Sequence, residues 1–114
     1  MAALIYDLTP LNALVDGNEK FRKYLIELFI QTTPPILEDL KASLNLKDFE
    51  GIYAHTHKVK PTLDSMGMIG LRKTVDDIMK YSKMKVNLPE LQLLINHLCS
   101  EIGLAITQLQ TNEL

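Results

Sequence analysis

Residues 87–109 read NLPELQLLINHLCSEIGLAITQL and carry the apolar pattern that decides the fold. Apolar side chains recur there at steps of three and four, which is the period of a helix with one face towards a core. The near-heptad spacing is typical of helices in antiparallel bundles. Asn87 and Glu90 resemble a capping box, so we expect the helix to begin at this point. The stripe comprises Leu91, Leu94, Ile95, Leu98, Ile102, Ala105, Ile106 and Leu109.

Two helices are predicted immediately upstream of this segment. One begins near Asp48 and runs past Ser65, and its apolar face comprises Ile52, Val59, Leu63 and Met66. The next begins near Ile69, and Leu71, Val75, Ile78 and Ser82 are its packing residues. On its outer side Asp76 and Lys80 are spaced for an i,i+4 ion pair.

The N-terminal part of the chain predicts one short and one long helix. Thr9 is a candidate N-cap, with Pro10 at the first helical position and Gly17 at the end. The long helix begins at Asn18, and Pro34-Pro35 predicts a kink or local break near Thr33. Its apolar stripe comprises Phe21, Leu25, Leu28, Phe29, Thr32, Ile36, Leu40 and Leu44.

These segments predict an all-α fold, because no stretch shows the strict alternation of a strand. Four substantial helices with short connectors favour an antiparallel up-down-up-down four-helix bundle with a short extra N-terminal helix. A length of 114 residues with 46% apolar side chains suits one domain over residues 1–114. Met1 and the closing helix favour a free-standing protein.

Composition excludes several classes of protein. The net charge of −2 argues against a general nucleic-acid binder, and the single cysteine, Cys99, against a disulfide scaffold or a cysteine zinc site. No apolar run approaches a membrane span and no targeting segment is visible, so we expect a soluble cytoplasmic protein. The charge is uneven, since residues 55–85 hold seven basic and three acidic side chains, a net +4. Such a basic segment suits an anion or an acidic partner, although a solvated surface would carry the same charges.

The third predicted helix holds the candidate functional residues on the side opposite its apolar face. His57 points to solvent, where an imidazole is mostly neutral at pH 7 and a ring nitrogen is free to act as a nucleophile. Lys60 places a cation one turn further on, where Asp64 is spaced to pair with it at i,i+4. Pro61 removes a hydrogen bond to the His57 carbonyl. Gly67 either ends the helix or gives a partner backbone room near the histidine. This exposed side comprises Glu50, Tyr53, Ala54, His57, Lys60, Pro61 and Asp64.

The segment His57–Gly67 resembles the signature of histidine-containing phosphotransfer (HPt) domains. In that family the phospho-accepting histidine is followed by an apolar residue two places on, lysine three on, a small residue or proline four on, and glycine ten on. Val59, Lys60, Pro61 and Gly67 occupy these places, although Pro61 stands where glycine or serine is commoner. Residues 29–35 also look like the family's second-helix pattern.

The resemblance implies a phosphorelay intermediate. His57 would accept a phosphoryl group from a receiver-domain aspartyl-phosphate and pass it to another receiver aspartate, with Lys60 supporting the phosphoryl charge. The receiver would dock on the face formed by Tyr53, Lys58, Pro61, Asp64 and Gly67. The resemblance also implies a hybrid histidine kinase as a partner. It implies no binding to nucleic acid or to a membrane.

The same resemblance implies a monomeric phosphocarrier that is not an enzyme and has no cofactor of its own, with Mg²⁺ held by the receiver. A helical receiver-binding module that transfers no phosphate is the alternative.

Other candidate sites are weaker. In the register that starts at His55, the position two on would be a histidine and the position ten on would be Ser65, so a packing role suits His55 better. His55 and His57 project to nearly opposite sides of a helix and cannot chelate one metal there. His97 has no second ligand at helical spacing, and no residue beside Cys99 marks it as an activated thiol. The sequence therefore predicts no metal site.

Overall fold

The computed structural model describes residues 3–114, and this part of the chain is helical with no strand. The elements are α1 (Thr9–Val15), α2 (Glu19–Asn45), α3 (Phe49–Ser65), a 3-10 turn (Ile69–Leu71), α4 (Arg72–Met84) and α5 (Leu88–Asn112). Helices α2 to α5 form the predicted four-helix bundle, and α1 is the short extra helix at the N-terminus. The predicted fold class is therefore confirmed.

The core-facing stripes of α3, α4 and α5 lie where the apolar spacing predicts them. Every residue predicted for the apolar faces of α3 and α4 is buried, and so is most of the α5 stripe. Ile52 and Val59 of α3 are completely buried, as is Ile78 of α4. Since α3 has one fully buried side, its opposite side is left at the surface.

Helix α2 differs from the prediction at its buried face, and of the kink or local break predicted near Thr33 the break is absent. It passes through Pro34 and Pro35 without a break, and the carbonyls that lose their N–H partners belong to Ile30 and Gln31, which lie at or near the surface. Its buried face is also rotated, since Ile26 and Leu37 are buried while Phe21 and Leu28 are each 39% exposed. The apolar stripe of α2 is wider than the core needs, and one edge of it remains accessible.

The predicted starts of α2, α3 and α5 are confirmed, whereas the predicted capping roles of Thr9 and Asn87 are wrong. The side chains of Asn18 and Asp48 cap α2 and α3, each accepting a 3.0 Å bond from a backbone N–H three residues on. At α1 the capping group is the Asp7 carboxylate, which accepts from the Thr9 N–H at 2.9 Å, so Thr9 is not the cap. Asn87 has a left-handed backbone (φ 67°) and its side chain makes no capping hydrogen bond, so the predicted capping box is absent.

Residues 3–8, here called the closing segment, pack along the end of the bundle where α5 finishes. The Ile5 N–H donates to the Gln108 side chain at 3.0 Å, and Tyr6 and Leu8 are buried. Beside them Arg22 of α2 forms a 2.6 Å ion pair with Glu113, and both side chains are more than four-fifths buried. Contacts between residues so far apart in sequence leave no local pattern, and the sequence analysis did not predict them.

No helix among residues 3–114 is both long and apolar enough to cross a membrane.

Candidate functional site

His57 lies near the middle of α3 and is exposed, as the helical spacing predicts. The Tyr53 ring lies one turn before it and is stacked on the imidazole, with ring centroids 6.1 Å apart and planes inclined by 14°. This contact limits the orientations of an otherwise accessible ring. The imidazole is thus presented to solvent from a rigid helix whose other side is fixed in the core.

His55 has a different environment from His57. Its side chain is half-buried, beside the buried Thr56, whose hydroxyl donates to the Ile52 carbonyl at 2.7 Å. The two histidines leave α3 on different sides because they are two residues apart. They do not form a joint metal site, and no group of three His, Cys, Asp or Glu side chains suited to a metal ion occurs among residues 3–114.

The cations around His57 are paired across helices rather than along them. Lys60 Nζ lies 3.1 Å from Asp76 Oδ1 on α4, and Arg72 Nε of α4 lies 3.3 Å from Asp64 Oδ1. The predicted pairs within one helix, Asp64 with Lys60 and Asp76 with Lys80, are therefore wrong. The close packing of α3 on α4 brings opposite charges of the two helices together, and these contacts replace the i,i+4 pairs. Lys58 is exposed.

An apolar groove lies beside the exposed face of α3. It has a volume of about 280 Å³ and runs between α1, α2 and α3. Pro61 contributes to its wall, together with Leu14 and Leu28, which are 67% and 39% exposed. The groove was not predicted from the sequence, although the surplus width of the apolar stripe on α2 is a signal for it. A residue on the predicted docking face thus borders an accessible apolar surface.

Comparison with known proteins identifies the family. The family model "Hpt domain" matches residues 25–112, which include His57 and every residue of the exposed α3 face. The chain belongs to the Hpt domain family. Its role is histidine phosphotransfer in a phosphorelay, and the alternative of a binding module without phosphotransfer is not favoured.

A solved structure gives the same fold for this Hpt domain. The crystal structure of histidine-containing phosphotransfer protein B (HptB) from Pseudomonas aeruginosa PAO1 matches with a TM-score of 0.84 and 19% sequence identity. The match covers 96% of this chain and 95% of that chain. The search of curated proteins found no match.

Gly67 of the Hpt domain is not on the exposed face, so its predicted place beside a docked partner is wrong. It lies two residues beyond the end of α3, is buried and has a φ of 65°. A Cβ added to it would overlap the Asp7 carbonyl oxygen of the closing segment. The neighbouring Met66 carbonyl accepts a 3.1 Å bond from the Asp7 N–H. The missing side chain admits this chain's own backbone, and Gly67 ends the helix in the left-handed conformation that glycine favours.

The remaining candidates lie on α5, away from α3. His97 is exposed, and Cys99 is half-buried. Burial raises the pKa of the Cys99 thiol, which favours the uncharged and unreactive form. Cys99 is therefore a packing residue of the Hpt domain rather than a nucleophile.

Proposed function

We propose that His57 is the phospho-accepting residue, which takes a phosphoryl group from the aspartyl-phosphate of one receiver domain and delivers it to the aspartate of another. The observation that carries this assignment is the exposure of His57 in the middle of α3, with a lysine one turn away. His55 is half-buried and less suited to meet a second protein.

The transfer needs an aligned nucleophile and compensation of charge more than it needs an active site in this chain. A ring nitrogen of His57 attacks phosphorus in line. The N–P bond forms while the P–O bond to the receiver aspartate breaks, and the electron pair of that bond leaves on the carboxylate. Delivery to the second receiver is the reverse of these events. The chain is a phosphocarrier in this scheme, and the receiver supplies the acidic pocket and its Mg²⁺.

Basic side chains compensate the charge that arrives with the phosphoryl group, about −1.5 to −2 at pH 7. Lys60 is the main source, because it lies one turn from His57, and exposed Lys58 adds to it. The net +4 of residues 55–85 also attracts the acidic pocket of a receiver and speeds encounter at low ionic strength.

The receiver docks on the exposed face of α3 and on the groove beside it. Tyr53, Lys58, Pro61 and Asp64 surround His57 on this face, and the apolar groove begins at Pro61. An apolar surface next to the nucleophile, with charges around it, has the composition of a transient protein interface. One such site serves a monomer, which meets the donor and acceptor receivers in turn.

A transfer assay tests this assignment. The protein is incubated with a phosphorylated receiver domain, and the acid-labile, alkali-stable label of phosphohistidine is measured. We expect label on the wild type and on His55→Gln, and none on His57→Gln, with all three equally folded by circular dichroism. Label that survives in His57→Gln and is lost in His55→Gln would overturn the assignment.

A further inference from the structure

We infer that Asp76 is a positioning residue that controls how far Lys60 is available to the phosphoryl group on His57. The inference rests on the proposed role of His57 and goes beyond it, because Asp76 lies on α4 and outside the exposed face of α3. The observation that carries it is the 3.1 Å ion pair between Lys60 Nζ and Asp76 Oδ1.

The pair directs the Lys60 side chain towards α4. Lys60 and His57 are three residues apart on α3, so their side chains are neighbours on one face of the helix. The Lys60 ammonium therefore has two possible anionic partners, the Asp76 carboxylate and a phosphoryl group on His57. In the unphosphorylated protein the Lys60 ammonium is paired with the Asp76 carboxylate.

The i,i+4 neighbours of Lys60 and Asp76 make other contacts. Asp64 is four residues from Lys60 but pairs with Arg72 at 3.3 Å. Lys80 is four residues from Asp76, but its Nζ lies over the Tyr81 ring, 5.9 Å from the centroid. Neither alternative partner competes for the Lys60–Asp76 contact in this arrangement.

The exchange between the two partners is energetically cheap. The side chains of Lys60 and Asp76 are 42% and 61% exposed, and ion pairs at such exposure contribute little to stability. A phosphoryl group carries more negative charge than one carboxylate. Lys60 therefore leaves Asp76 when His57 is phosphorylated, and Asp76 loses its cation. Phosphorylation of His57 on α3 thereby leaves an unpaired carboxylate on the surface of α4.

Asp76→Asn provides the test, with phosphoramidate as the phosphodonor so that no receiver contact contributes. In this reaction the P–N bond to ammonia breaks as the bond from phosphorus to the His57 ring nitrogen forms. Charge develops on the phosphoryl oxygens in the transition state, and a Lys60 freed from Asp76 stabilises it. We expect initial labelling of His57, followed by ³¹P NMR, to be about two- to fivefold faster than in the wild type, the range set by a surface ion pair.

Two further variants separate positioning by Asp76 from simple loss of a negative charge. Asp77→Asn removes the same charge from the same helix but breaks the 2.9 Å pair with Lys73 instead, and it should leave the rate unchanged. In a Lys60→Ala background, Asp76→Asn should have no effect, because Lys60 carries the coupling. Asp76→Glu should restore the wild-type rate.

A spectroscopic readout tests the exchange itself. Phosphorylation should move the ¹³Cγ resonance of Asp76 in the wild type and leave it in place in Lys60→Ala. Equal labelling rates in the wild type and Asp76→Asn, or an acceleration that persists in the Lys60→Ala background, would overturn the inference. Absence of label on wild-type His57 would instead contradict the proposed function.

Discussion

The exposed side of α3 and the C-terminal end of the same helix differ in what holds them in place. Around His57 the charged side chains are accessible and form exposed pairs with the neighbouring helix, as Lys60 does with Asp76. At the C-terminal end of α3, Gly67 is buried against the closing segment, and nearby Arg22 and Glu113 form a well-shielded ion pair. In the proposed function one helix thus carries phosphotransfer chemistry and domain closure at separate residues. Substitutions should therefore affect one and leave the other.

Gly67→Ala should give the largest effect on stability. The new Cβ meets the Asp7 carbonyl oxygen and also occupies a left-handed backbone position, with an expected cost of about 2–4 kcal/mol. In a domain of this size the melting temperature should fall by roughly 10 °C or more. Thermal unfolding followed by circular dichroism measures this change.

Gly70→Ala is the matched control for this substitution. A Cβ at Gly70 meets nothing within 4 Å, so the melting temperature should change little. Below its melting temperature, Gly67→Ala should still accept label on His57. A Gly67→Ala protein of normal stability that no longer accepts label would show that this glycine serves a docked partner after all.

The Arg22–Glu113 ion pair should give the next largest effect on stability. Both partners are mostly shielded from water, so each alanine substitution should cost about 1–2 kcal/mol, between the values for surface and buried pairs. A double-mutant cycle in urea isolates the coupling between them. The exposed Lys41–Glu38 pair, at 3.6 Å, is the control and should couple by about 0.5 kcal/mol or less. Equal coupling in the two pairs would show that shielding from water does not strengthen the Arg22–Glu113 pair.

Lys60→Ala should have the opposite signature, a change in transfer without a change in fold. Loss of the cation beside His57 should slow transfer from a phosphorylated receiver about three- to tenfold, or up to about 1.4 kcal/mol in the barrier. The free energy of unfolding should change by about 0.5 kcal/mol or less, because the Lys60–Asp76 pair is exposed. Lys80→Ala removes the same charge from α4 and should transfer normally. A large fall in the melting temperature of Lys60→Ala would show that Lys60 is structural instead.

The sequence predicts features that are set within one helix, and it does not predict contacts between helices. The buried stripes of α3 to α5 and the exposure of His57 follow from the 3.6-residue period, which depends only on positions within one helix. The ion pairs of Lys60 and Asp64 do not, because they depend on which helix packs beside α3. Their i,i+4 assignments are wrong for that reason.

Gly67 shows the limit of a motif for placing a residue. Its spacing from His57 indicates a family, but its buried position depends on residues 3–8 returning to the end of α3, and no local pattern encodes that contact. The role of His57 remains a prediction that the transfer assay tests, whereas the geometry of Gly67 already corrects the reason assigned to it.

Tyr6 offers the smallest test of the closed end. Burial, the main cause, raises the pKa of its hydroxyl, which lies 3.4 Å from Glu113 Oε2. Because the folded state favours the protonated form, the stability that Tyr6 contributes is complete below pH 10, the ordinary tyrosine value, and is lost as the pH rises through the higher folded-state value. As the pH is raised above 10, the free energy of unfolding should therefore fall less in Tyr6→Phe than in the wild type. Urea titrations at a series of pH values measure this difference. Tyr24→Phe is the control, since Tyr24 is 57% exposed and lies outside the closing segment. Parallel curves for the wild type and Tyr6→Phe would mean that Tyr6 ionises without opening the closing segment.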